Sequence, residues 1–79
     1  MTRTSANYRY FRKHFNRLVE RHGGRMVVIA RGRFVGSCTH ASRGRLRRMV
    51  ARIREEHPRE IPFVTPVPTA RDLASPLLL

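Results

Sequence analysis

His22-Gly23-Gly24-Arg25-Met26-Val27-Val28-Ile29-Ala30-Arg31-Gly32-Arg33-Phe34-Val35-Gly36-Ser37-Cys38 is the stretch whose reading decides the fold. Gly23-Gly24 ends the helix before it, because Gly takes the left-handed conformation needed at a helix C-terminal cap. Arg25–Ala30 and Arg33–Cys38 are two β-rich runs, and Arg31-Gly32 separates them. Two such runs split by X-Gly predict an antiparallel hairpin. Arg is a poorer first turn residue than Asn or Asp, which leaves a looser four-residue turn open. Gly36 marks either a bulge or a place where a helix packs close to the sheet.

Upstream, Tyr8, Phe11, Phe15, Leu18, Val19 and His22 fall on one face at helical spacing, and Ser5 or Asn7 can cap the start. Downstream, Thr39 or Ser42 can cap a second helix to about Glu56, with Leu46, Met49, Val50 and Ile53 as its apolar stripe. His57-Pro58 ends it, since the residue before a Pro avoids the helical region. Ile61–Pro68 reads as a third strand. Its prolines, at 62, 66 and 68, share one parity, so the missing donors lie on one edge while Phe63, Thr65 and Val67 pair on the other. That is the pattern of an edge strand.

The order α-β-β-α-β predicts an α+β fold: a two-layer sandwich of a three-stranded sheet with both helices on one face. The first hairpin strand is apolar at both parities (Val27 and Ile29, Val28 and Ala30), so the second face is partly apolar, which hints at a homodimer. Residues 1–68 form one α+β domain. Residues 69–79 form a flexible or docking tail, in which Thr69-x-x-Asp72 offers the start of one helical turn but disorder is the expectation.

Seventeen basic residues oppose five acidic ones, for a net charge of +12, and Lys13 is the only lysine. GC-rich codons account for Arg over Lys but not for the shortage of Asp and Glu. A field this positive attracts nucleic acid, anionic lipid or an acidic protein. Cys38 is alone, so no intramolecular disulfide supports the small core. The N-terminus lacks the apolar run of a signal peptide, and no stretch is long and apolar enough to span a bilayer. A cytoplasmic location and no membrane association are expected.

The run Phe15-x-x-Leu18-Val19-x-x-His22-Gly23-Gly24-Arg25-x-Val27-x-Ile29-Ala30-x-Gly32-x-Phe34-Val35-Gly36 resembles a prokaryotic family of short α+β domains of unknown function. Members read as a helix ending in Tyr-Gly-Gly-Lys, a Trp-Val-Ala strand, an Asp-Gly turn, a Val-Val-Ala strand, an amphipathic helix and a final strand closing in Val-Pro. The likeness covers roughly residues 10–68. This chain has Met26 for the Trp, Arg31 for the turn Asp, and Arg for the acidic residues usual on both helices. The resemblance implies the fold and supplies no activity or catalytic residues.

Arg9, Lys13, Arg17 and Arg21 recur every fourth residue along the first helix, opposite its apolar face. Arg45, Arg48 and Arg52 repeat the theme on the second. Like charges at i, i+4 repel, so a small core that tolerates them points to a polyanionic partner. Tyr10 projects beside the stripe, near Arg17 and Arg21, and is the best candidate to stack on a base. No RNA-binding signature and no helix-turn-helix is present, so little sequence preference is expected. Cys38, His40, His22 and His57 lack the spacing of structural metal sites and read as packed or exposed residues. No cofactor loop and no catalytic constellation is evident, and an enzyme is not expected. The composition therefore predicts a small nucleic-acid-binding accessory protein that contacts the phosphate backbone. The alternative is a protein-interaction module docking on a larger acidic partner through its sheet face, edge strand or C-terminal tail.

Overall fold

β1 (Met26–Ala30) is the centre of the molecule, because its residues are apolar at both parities and both faces of the strand are covered. A computed structural model describes residues 3–74. In it β1 pairs antiparallel with β2 (Arg33–Cys38) on one side and with β3 (Phe63–Pro66) on the other, giving the sheet order β2-β1-β3. The helices are α1 (Arg3–Lys13), α2 (Phe15–His22), α3 (Arg43–Glu56) and α4 (Ala70–Ala74).

Val27 and Ile29 point to one side, into a cluster with Leu18, Val19 and Val67, ringed by Phe11, Phe15 and Phe34. Val28 and Ala30 point to the other, against Leu46, Met49 and Ile53 of α3. The fold is α+β with a three-stranded antiparallel sheet, as the pattern predicts, but the helices do not share one sheet face. α1 and α2 cover one face and α3 the other, so there are three layers. A strand buried on both faces reads as a continuous apolar run, and Val27-Val28-Ile29-Ala30 is one. Val27, Val28 and Ile29 are fully buried, at about 1.5–3 kcal/mol for each side chain. The second apolar face, the ground for expecting a homodimer, is taken by α3.

The hairpin turn is tight. Arg31 and Gly32 both have positive φ (55° and 70°), the conformation of a two-residue turn whose twist matches the strands. The pairing slips between Val28 and Ile29, which leaves Val35 as the extra residue of a bulge. Gly36 beside it also meets α3, since a Cβ there would lie 2.8 Å from the Met49 sulfur. Both readings of Gly36 therefore hold.

β3 is an edge strand. Val67 donates its N–H to the Arg25 carbonyl at 2.9 Å and accepts from the Gly24 N–H at 2.8 Å. Pro66 stands opposite Met26, so alternation of the ladder turns its missing donor away from β1. Gly23 is needed for close approach, because a Cβ would come within 2.6 Å of the Val19 carbonyl oxygen. The left-handed residue after α2 is Gly24, with φ 79°. The start of the tail, expected to be disordered, instead forms α4, because Thr69 and Asp72 cap it through reciprocal bonds. The Thr69 N–H donates to the Asp72 carboxylate at 3.1 Å, and the Asp72 N–H donates to Thr69 Oγ1 at 3.0 Å. The last part of the expected tail, 75–79, lies outside the described residues. Among the described residues no helix is long and apolar enough to cross a membrane.

Candidate nucleic-acid interface

Asn7, expected as a helix cap, lies inside α1 with no exposed surface. Its amide nitrogen donates to Glu60 Oε2 at 3.0 Å and to the Ile61 carbonyl at 3.1 Å, and its oxygen accepts from the Gly32 N–H at 2.7 Å. Glu60 Oε2 also accepts from the Arg31 N–H at 2.7 Å. These two side chains clamp the hairpin turn onto α1 and the segment before β3. Glu60, one of five acidic residues in the chain, is thereby committed to the fold.

The first helix breaks at His14, with φ −106° and ψ 17°. The hydrogen-bond ladder continues across the break, from the His14 N–H to the Tyr10 carbonyl at 3.0 Å and from the Leu18 N–H to the His14 carbonyl at 2.9 Å. No Pro or Gly lies near the kink. Tyr10, His14, Arg17 and Arg21 follow one another at i, i+4, i+7 and i+11, so they share one stripe along α1 and α2. With Leu18, His22 and Phe34 they line a cleft of about 270 Å³. Phe34 reaches it from the hairpin. The Tyr10 and His14 rings lie 4.4 Å apart, and His22 stacks on Phe34 at 4.7 Å and 22°.

The structure thus brings Tyr10, Arg17 and Arg21 together, as the sequence suggests. Arg9 and Lys13 are exposed on α1 but do not line the cleft. Arg45, Arg48 and Arg52 are exposed on α3, across the sheet from α1 and α2. The eight expected contact residues form two separate surfaces. Arg52 pairs with Glu56 at 3.4 Å, with both side chains largely in water, so the pair holds little energy. Lys13, Arg17, Arg21, Arg45 and Arg48 make no ion pair with another described residue.

The other flank of α3 carries a groove of about 460 Å³, in which Leu46, Val50 and Ala51 lie among Arg43, Arg47 and Arg54. Cys38, His40, His22 and His57 are dispersed: Cys38 is buried, His40 is exposed, His22 is on Phe34, and His57 Nε2 lies 3.1 Å from the Arg31 guanidinium. Among the described residues no three His, Cys, Asp or Glu side chains converge on a metal position.

Comparison of the chain with protein-family models, curated proteins and solved structures finds no match. Sequence reasoning missed His14, His22 and Phe34 as cleft residues. For His14 the signal was available, since it completes the spacing from Tyr10 to Arg17.

Proposed function

We propose that the domain is a small cytoplasmic nucleic-acid-binding accessory protein that contacts the phosphate backbone with little sequence preference. The observation that carries this function is the stripe on α1 and α2, where exposed Arg17 and Arg21 have no carboxylate partner among the described residues. Guanidinium forks bind phosphate oxygens through two hydrogen bonds, and a surface of uncompensated charge lowers its self-repulsion when it meets a polyanion. Lys13 extends the surface along α1, and Arg9 lies one turn before it. Arg45, Arg48 and Arg52 provide a second phosphate-binding surface on the other side of the sheet. No residue is assigned a catalytic role. Arg17→Glu with Arg21→Glu tests the assignment by fluorescence anisotropy with labelled oligonucleotides. A loss of tenfold or more at ~150 mM salt is expected, a range in which surface charges act over roughly a Debye length. Unchanged binding would exclude the stripe as the contact surface.

A specific observation favours a second function, docking on an acidic protein. The α3 groove sets an apolar floor among three guanidinium groups, which suits an amphipathic acidic segment. Both faces of β1 are closed to such a partner, because Val27, Val28 and Ile29 are fully covered, while Val35 and Val64 on the flanking strands stay exposed. Arg47→Glu with Val50→Ser would separate the two functions, since it removes the groove and spares the α1–α2 stripe.

A further inference from the structure

The geometry points to the cleft between α1, α2 and the hairpin as a site for one unpaired nucleotide of a single strand, with the base among the rings and the two phosphates that flank it on Arg17 and Arg21. The inference rests on the nucleic-acid function proposed above and goes further, naming the strandedness and the atoms that read it. A purely electrostatic surface needs only cationic heads. This one places four rings, those of Tyr10, His14, His22 and Phe34, beside two guanidinium groups in a single concavity. Leu18, 4% exposed, closes part of the wall with apolar surface. Every base has a flat π-face, so rings offer a sequence-tolerant platform once the base is out of a duplex.

The size of the cleft is selective. At about 270 Å³ it falls just below the roughly 300–1,000 Å³ of sites that enclose a drug-sized ligand. It takes part of a polymer, one base with its flanking phosphates, rather than a whole dinucleotide. A stacked duplex offers no free base face to it. The Tyr10 hydroxyl and the imidazole nitrogens can donate or accept at a base edge, which permits any base.

Intrinsic fluorescence tests the site directly. The chain has no Trp and two Tyr, so Tyr8→Phe leaves Tyr10 as the only strong emitter, and the substituted ring keeps the edge contact of Tyr8 with Phe63. This variant is titrated with unlabelled oligo(U), oligo(dT) and a short duplex, with anisotropy of labelled strands run in parallel. The expected result is quenching of Tyr10 that tracks single-strand binding and is absent with the duplex. Quenching by either single strand supports the site, and the ratio of the two affinities tells ribose from deoxyribose. In the otherwise native chain, Tyr10→Leu is expected to weaken single-strand binding roughly fivefold or more, the lower end of a base–aromatic stack, and to leave duplex binding unchanged. Single-strand binding with unaltered Tyr10 emission would overturn the nucleotide site and leave backbone recognition standing. Absence of binding to every nucleic acid would remove both.

Discussion

Replacing Asn7 with Leu should unfold this domain more readily than any surface change of the same kind. Asn7 is fully buried, and its side chain answers two backbone groups, the Gly32 N–H at 2.7 Å and the Ile61 carbonyl at 3.1 Å. Leu offers neither a donor nor an acceptor. Each backbone group left unpaired costs about 1–3 kcal/mol, so the two together cost about 2–6 kcal/mol. The Glu60 carboxylate also loses a donor, although Oε2 keeps the Arg31 N–H. Apolar burial of the Leu offsets about 1.5–3 kcal/mol at most, and crowding of the larger branch reduces that gain. With that gain reduced, a net loss of about 1–4 kcal/mol follows, against a total of about 4–12 kcal/mol for a domain of this length. Urea unfolding followed by circular dichroism measures it. Asn16→Leu, at an exposed position on α2, is the control, expected within about 0.5 kcal/mol of the parent. Hydrogen exchange of the Gly32 amide should accelerate in Asn7→Leu alone. A loss below about 1 kcal/mol, with Gly32 still protected, would show that the turn does not depend on this clamp.

Three glycines should respond differently to Ala, and one set of melting curves checks them together. Gly23→Ala meets backbone, with a Cβ 2.6 Å from the Val19 oxygen and 3.2 Å from the Pro68 oxygen, so it should cost about 1–3 kcal/mol. Gly36→Ala meets only the flexible end of Met49 and should cost less, while Gly44→Ala, with nothing within 4 Å, should stabilise α3 by about 0.5–1 kcal/mol. The cap of α4 should depend on pH. The Thr69 N–H holds the Asp72 carboxyl below its ordinary value of 3.8, with smaller help from the Thr69 hydroxyl and the Arg71 charge. A carboxyl lowered in the folded state stabilises above its unfolded value and loses that contribution as pH falls through the folded one. Amide shifts of Thr69 and Asp72 should therefore hold through neutral pH and move together only below about 4, and Asp72→Asn should flatten the transition.

The hairpin, α3 and the edge strand were legible because each is written in local chemistry. Arg31-Gly32 splits two β-runs, Leu46, Met49 and Ile53 recur at helical spacing, and the prolines of β3 share a parity. Layering was not local. Val28 and Ala30 announced a second apolar face, but nothing within β1 says whether a helix of the same chain or another molecule covers it. Asn7 read as a cap because Asn favours helix starts, yet it also precedes Phe11 by four residues on the buried stripe. A lone amide on such a stripe needs internal partners, and the turn supplies them. At the candidate site, spacing brought Tyr10 near Arg17 and Arg21. Phe34 was out of reach of that reasoning, since only the tertiary fold carries the hairpin to α2. Splitting of the basic residues between two surfaces follows from the layering and was hidden for the same reason.

Backbone recognition is tested most directly by the salt dependence of anisotropy for a labelled single strand, with polyglutamate as competitor. Contacts from Lys13, Arg17 and Arg21, with or without Arg9, neutralise three or four phosphates. At about 0.7 per single-strand phosphate, the log–log slope should lie between about −2 and −3, and polyglutamate should compete poorly. A slope near zero, or displacement by polyglutamate as effective as by nucleic acid, would contradict phosphate recognition and place the function on an acidic protein partner.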